Sequence, residues 1–254
     1  MCHKPTHKEE IKIKTRDYAQ EFTARVAWIK QVLADAGVSA VVFGSSGGKD
    51  ATLVGILCKA ACEDTLGVIM PCETTVNYGT DRDHALLLQQ HFGIEHMQVS
   101  LTDTKAALLG AIGIPISGLP SANIAPRLRM TAINAIGAVR GALVAGTSNR
   151  SELYMGYFTK WGIDGVSDFN PIADLTATEV LEFLRHLEAP EAIYTKAPSA
   201  GLYEGQTDEA EMGVTYKELD DFLLNGTIGP NYHVIERSHN TTAHKRRPIA
   251  VFSE

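Results

Sequence analysis

Apolar residues recur at two periods along this chain, and the alternation of those periods outlines its architecture. From Asp17 to Ala36 they fall at helical spacing (Phe22, Val26, Ile29, Val32, Leu33), and Gly37 follows as a residue suited to a left-handed helix end. Val38-Ser-Ala-Val-Val-Phe43 then reads as a buried strand. Leu66-Gly-Val-Ile-Met70 is a second strand stopped by Pro71, Asp81 to Phe92 a helix ended by Gly93, and His96 to Val99 a third strand. Ser100-Leu-Thr-Asp103 supplies the cap of the next helix, Asn123 to Arg140 is helical with Gly141 behind it, and Ala142-Leu-Val-Ala145 is a further buried strand. Strands that alternate with helices in this way predict an α/β fold, an open parallel sheet with helices on both faces and ligands at the carboxyl ends of the strands. No linker, repeat or low-complexity stretch interrupts the 254 residues, which suffice for one large domain.

Charge narrows the partners. A net charge of −7 disfavours nucleic acid, whose backbone selects clustered Lys and Arg. The run His244-Lys245-Arg246-Arg247 is the local exception. Met1 to Lys14 is polar, with no apolar leader core, and no apolar run approaches membrane length, so the expected location is cytoplasmic, with no membrane partner. Four cysteines do not make a disulfide framework for a chain this large. Cys58 and Cys62 lie four apart on one helical face and read as core packing; Cys2, His3 and His7 read as a frayed terminus.

The chemistry concentrates where the first strand stops. Gly44-Ser45-Ser46-Gly47-Gly48-Lys49-Asp50 passes through Ala51 and Thr52 into an apolar helical pattern, the layout of a phosphate cradle. Glycines let the backbone approach an oxyanion, hydroxyls and a Lys donate to it, and a helix start offers free N–H groups. Asp50 would repel a bare phosphate but suits a Mg²⁺ riding on one. A Walker loop has four residues between its first Gly and the Gly-Lys pair, then Ser or Thr. Here three residues separate Gly44 from Gly48, and Asp50 follows Lys49. The nucleophile elbow Gly-x-Ser-x-Gly does match at Gly44 to Gly48, with His233, His239 and His244 as later candidate bases. Against it, no His-Gly-Gly-type oxyanion segment follows, and the Lys-Asp tail has no task in acyl transfer. Ser46-Gly-Gly-Lys-Asp50 resembles the pyrophosphatase-type loop, Ser-Gly-Gly-x-Asp-Ser, of ATP enzymes that release AMP and pyrophosphate. Gly146-Thr147-Ser148-Asn149-Arg150-Ser151-Glu152 sits at the carboxyl end of the later strand, so Thr147 and Glu152 open a helix facing the same crevice.

A longer ordered set follows. Asn123-Ile-Ala-Pro-Arg127-Leu-Arg129-Met130, Gly146-Thr147 with Glu152, Gly156-Tyr-Phe-Thr-Lys160, Lys196-Ala-Pro198-Ser199-Ala200, Gly205-Gln-Thr-Asp208-Glu209-Ala-Glu211-Met-Gly213, Tyr216 with Leu219-Asp220, and His244-Lys245-Arg246 recur in one order. In that order and near that spacing they resemble the ammonia-dependent NAD synthetases. The resemblance implies a Rossmann-like, adenine nucleotide alpha hydrolase-like fold and one amide-forming domain over residues 1–254, with no glutaminase domain. It implies a ligase that joins ammonia to the nicotinate carboxylate of deamido-NAD through an adenylated intermediate, with ATP as co-substrate and Mg²⁺ as cofactor. Gly44, Ser45, Ser46, Gly47, Gly48, Lys49, Asp50 and Ala51 would then bind ATP together with Thr147 and Ser199. Asp50 and Glu152 would hold Mg²⁺, and Asp50 and Lys160 would be the catalytic pair. Arg127, Lys160, Asp168, His244 and Lys245 would bind deamido-NAD, in a homodimer whose interface helps to build that site. The segment between Lys160 and Asp168 is one residue longer than the family pattern, so Asp164 competes for the role given to Asp168.

Two positions depart from the pattern. Ala51 replaces the loop's final Ser, with Thr52 one residue away, and Ala177 in Asp174-Leu-Thr-Ala177 replaces a Lys. Either ATP is held more weakly or a cation from elsewhere fills in. A serine hydrolase using Ser46, a noncatalytic nucleotide-binding relative and a tRNA-thiolating relative are the competing readings; the last needs a basic surface and catalytic cysteines.

Overall fold

The computed structural model describes residues 16–73, 76–195 and 207–252. Its four strands, β1 (Ala40–Gly44), β2 (Asp64–Ile69), β3 (Glu95–Gln98) and β4 (Leu143–Ala145), form one parallel sheet in the order β3-β2-β1-β4. Helix α1 (Tyr18–Ala36) precedes β1, α2 (Lys49–Ala61) follows it, and α3 (Val76–Phe92) joins β2 to β3. Between β3 and β4 lie α4 (Thr102–Ile112), α5 (Gly118–Ala122) and α6 (Ile124–Arg140). Beyond β4 come α7 (Arg150–Met155), α8 (Ala177–His186), α9 (Glu191–Tyr194), α10 (Asp208–Met212), α11 (Tyr216–Asn225), α12 (Tyr232–Thr241) and α13 (Ala243–Arg246). The chain leaves β1 towards β2 on one side and returns to β4 on the other. That reversal opens a crevice at the carboxyl ends of β1 and β4, where open α/β sheets bind ligands.

The pleat explains why β1 is apolar throughout. Val41 and Phe43 enter a core shared with α1, α2, α8 and α9, whereas Val42 faces the core under α6. A strand buried on both faces shows no alternation of apolar and polar residues. The Phe43 ring fills a notch made by two glycines: a Cβ on Gly55 of α2 would lie 2.7 Å from the ring, and one on Gly67 of β2 would lie 3.1 Å from it. His96 closes the notch edge-on at 6.3 Å, its imidazole pKa lowered by burial. This packing brings α2 close to β1 and aims its first turn into the crevice.

Caps account for where the helices begin. Asp17 accepts from the amides of Ala19 and Gln20 at the start of α1, and Gly37, at φ 67°, closes it. Helix α3 begins at Val76, ahead of the apolar pattern, because only its packed part, marked by Ala85 and Leu88, needs apolar residues. Ser100 does not cap α4. The cap position is Leu101, and the Thr102 hydroxyl accepts the Glu73 amide instead (3.0 Å). Among the described residues no helix is long and apolar enough to cross a membrane.

Gly55→Ala tests the notch. The substitution gains roughly 1 kcal/mol of helix propensity, but it presses a methyl into a rigid buried ring at a cost of about 1 to 3 kcal/mol. Calorimetry should show a net loss near 1 kcal/mol, a Tm lower by roughly 2 to 4 °C; a higher Tm would contradict the packing account.

Candidate functional site

The turn after β1 is built to leave donors exposed. The Ser45 amide continues the sheet by donating to the Val68 carbonyl (2.9 Å). Gly47 takes φ 67°, a left-handed value that a Cβ would strain, and Gly48 caps α2 with no side-chain bond to its amides. The first N–H groups of a 13-residue helix therefore face the crevice with the positive end of its dipole. Buried His84, on α3, fastens the turn from behind: its Nδ1 lies 2.7 Å from the Gly47 carbonyl and donates to it. Ser46 is exposed, whereas the hydroxyls of Ser45 and Thr52 are sealed without a partner. Ala51 is buried.

Asn149 joins this turn to the end of β4. It caps α7 by accepting the Glu152 amide (3.0 Å), the Glu152 carboxylate accepts the Asn149 amide in return (3.1 Å), and the Asn149 side chain donates to Asp50 (3.0 Å). The helix expected to open at Thr147 thus opens at Arg150, behind a buried Asn149. Thr147 lies before it, half-buried.

Lys49 turns inward rather than toward solvent. Only 6% exposed, its ammonium lies 2.6 Å from the second Asp50 oxygen and 5.2 Å from the Tyr216 ring centre. Burial opposes its charge, but Asp50, Glu152 and Asp208 together hold its pKa above the ordinary lysine value. Asp208 is 4% exposed; the Tyr216 hydroxyl donates to one of its oxygens (3.0 Å), while the other has no partner. Burial pushes the Asp208 pKa up against that hydrogen bond.

The remaining expected residues gather along segment 156–170. Thr159 donates to Asn123 (2.6 Å), which seats Lys160 beside the start of α6, where Arg127 is exposed. Arg129 is instead committed to the Met70 carbonyl (2.9 Å). The basic tail is docked: Lys245 donates to the Gly156 and Phe158 carbonyls (2.8 Å each), and Arg246 to the Tyr154 carbonyl at the end of α7 (3.1 Å). Burial, with Arg246 nearby, lowers the Lys245 pKa. His244 on the same short helix is exposed. Asp168 accepts the Val144 amide (2.7 Å), so one of its oxygens ties this segment to β4. Ile163 joins the two groups of residues, its side chain lying 3.1 Å from where a Gly44 Cβ would stand. Ser199 lies outside the described residues, as do Cys2, His3 and His7.

Among the described residues no three acidic, histidine or cysteine groups converge as a metal cage. Asp50 and Glu152, bridged by Asn149, nevertheless suit Mg²⁺, which takes one or two carboxylates and completes its shell with phosphate oxygens and water. The unpartnered Asp208 oxygen also fits a place for a cation. The elbow reading loses ground: His239 stacks on Tyr154 (4.0 Å) and bonds its carbonyl, while His84 spends Nδ1 on Gly47.

Two of these contacts have weak sequence signals. His84 precedes Ala85 and Leu88 on the inward face of a helical pattern, and Asn149 is three residues before Glu152, a capping-box spacing.

The NAD synthase family model matches residues 21–250. An NH3-dependent NAD(+) synthetase of Carboxydothermus hydrogenoformans is 43% identical over 228 residues, which cover 87% of this chain and 92% of that protein. Among solved structures, NMN synthetase from Francisella tularensis is similar at TM-score 0.87 and 32% identity, over 94% of this chain and 100% of that one. NH3-dependent NAD synthetase from Campylobacter jejuni is similar at TM-score 0.77 and 25% identity, with the same coverage.

The turn's support by His84 is open to measurement. Without that hydrogen bond, His84→Ala should bind inorganic pyrophosphate about three- to tenfold more weakly by titration calorimetry, the range expected for one net hydrogen bond. An unchanged affinity in a folded variant would remove His84 from the cradle.

Proposed function

This chain belongs to the NAD synthase family, and from that membership we propose that it amidates deamido-NAD with ammonia at the expense of ATP, yielding NAD, AMP and pyrophosphate. One observation carries the reading: the uncapped start of α2 behind left-handed Gly47, with Asp50 and Glu152 bridged by Asn149 beside it. A carboxylate is a poor electrophile, so it attacks the α-phosphate of ATP first, and pyrophosphate leaves. Residues 44–51 hold the departing pyrophosphate by backbone N–H groups and helix dipole, an electrostatic catalysis that needs no protein nucleophile. Ammonia then displaces AMP from the adenylated carboxylate.

Thr147 flanks the ATP from the end of β4. Arg127, Lys160, Asp168, His244 and Lys245 bind the dinucleotide, with Lys160 next to the reacting carboxylate; the docking of the tail on segment 156–170, and the bond from Thr159 to Asn123 at the start of α6, support this. Asp50 and Glu152 hold Mg²⁺, which when bound neutralises charge on the phosphate oxygens. The protein acts as a cytoplasmic homodimer. Apolar side chains exposed on α5 and α6, Leu119 at 69% and Val139 at 90%, support a covering second copy.

The likeness to an NMN synthetase supports a second reading in which the carboxylate belongs to nicotinate mononucleotide. Both substrates present the same carboxylate to the same cradle, and they differ in the adenylate half. Purified protein given ATP, Mg²⁺ and ammonium with each substrate in turn should favour deamido-NAD by about tenfold or more in kcat/KM, some 1.4 kcal/mol of transition-state binding from the larger substrate. The opposite preference would establish the mononucleotide reading. Because the nucleophile is neutral NH₃, the rate at limiting total ammonium should climb with pH, and glutamine alone should yield no product; efficient glutamine-driven synthesis would overturn the nitrogen assignment.

A further inference from the structure

One ammonium, that of Lys49, sits in the field of three carboxylates, Asp50, Glu152 and Asp208. Lys49 contacts Asp50 directly, and its charge is coupled to Glu152 and Asp208. The Tyr216 ring centre lies 5.2 Å from it, and Ala177, packed in the same apolar cluster as Tyr216, brings only a methyl group to that cluster. Asp50 has both oxygens engaged, one by Lys49 and one by Asn149, while an oxygen of 96%-buried Asp208 stays unpartnered. A buried carboxylate without a counter-charge is costly, and Lys49 is the cation that the structure sets against Asp50.

We propose that Lys49 is the resting occupant of the cation position at Asp50, and that a divalent ion enters only in exchange for its ammonium. The proposal rests on Asp50 as a metal ligand. A unit positive charge 2.6 Å from an Asp50 oxygen repels an incoming divalent ion and occupies the lone pair that ion needs. Bound phosphates change the balance by giving the displaced ammonium a new anionic partner at the start of α2. Nucleotide and metal therefore enter together, and metal alone is held poorly.

The experiment uses Mn²⁺ as probe, with free ion counted by its electron paramagnetic resonance signal, on the full chain without nucleotide. Lys49→Met keeps the side chain's length and removes its charge, and should bind Mn²⁺ about tenfold or more tighter than the unaltered protein. Lys49→Arg keeps the charge and should remain weak, which separates charge from disturbed packing. With ATP present, the difference between Lys49→Met and the unaltered protein should shrink or reverse. Asp50→Asn added to Lys49→Met should abolish the gain; a gain that survives it would overturn the metal assignment itself. Equal Mn²⁺ affinity of Lys49→Met and the unaltered protein, while Asp50→Asn still weakens binding, would overturn the exchange alone.

Discussion

Everything at the crevice depends on how closely α2 approaches β1. The Phe43 ring sets that distance by lying between Gly55 and Gly67, where neither position has room for a side chain. From this packing follow the direction of α2, the tightness of the turn at Gly47, and the exposure of the first amides behind Gly48. The site's electrostatic element, an uncapped helix start, is thus a product of core packing two turns away. Side chains then complete it: His84 from α3 and Asn149 from the end of β4 each place one hydrogen bond on the turn.

The strands and the glycine turn were legible because their causes are local. A doubly buried parallel strand needs an unbroken apolar run, and left-handed backbone needs Gly at 47. The start of α7 was less legible, because Thr147 and Asn149 are both capable caps, and the capping box with Glu152, reinforced by the tertiary bond to Asp50, selects the second. Ser100 misled for a similar reason. Its place before a helix suited a cap, but Leu101 takes the cap position, and the Thr102 hydroxyl accepts the Glu73 amide across the loop. Asp168 also carries more than its pattern suggested, since one oxygen holds the Val144 amide whatever the other contacts.

Charge is arranged on two scales. The chain as a whole carries a net charge of −7, while the docked basic tail and exposed Arg127 concentrate positive charge locally. Within the cradle the sign is mixed: helix amides and Lys49 oppose Asp50, Glu152 and Asp208. Such a pocket suits a ligand that brings its own cation, because neither a bare phosphate nor a bare metal ion finds a complementary field there. Ala177 fits this balance, since a positive charge already resides beside Asp50, at Lys49.

Adenylation at the carboxylate makes a single atom diagnostic. Deamido-NAD carrying heavy oxygen in its nicotinate carboxylate, turned over with ATP and ammonium, should transfer one labelled oxygen to the phosphate of AMP, read by mass spectrometry. The pyrophosphate should stay unlabelled. Label in pyrophosphate or orthophosphate, or unlabelled AMP formed alongside NAD, would contradict a cradle whose task is to hold pyrophosphate as it leaves.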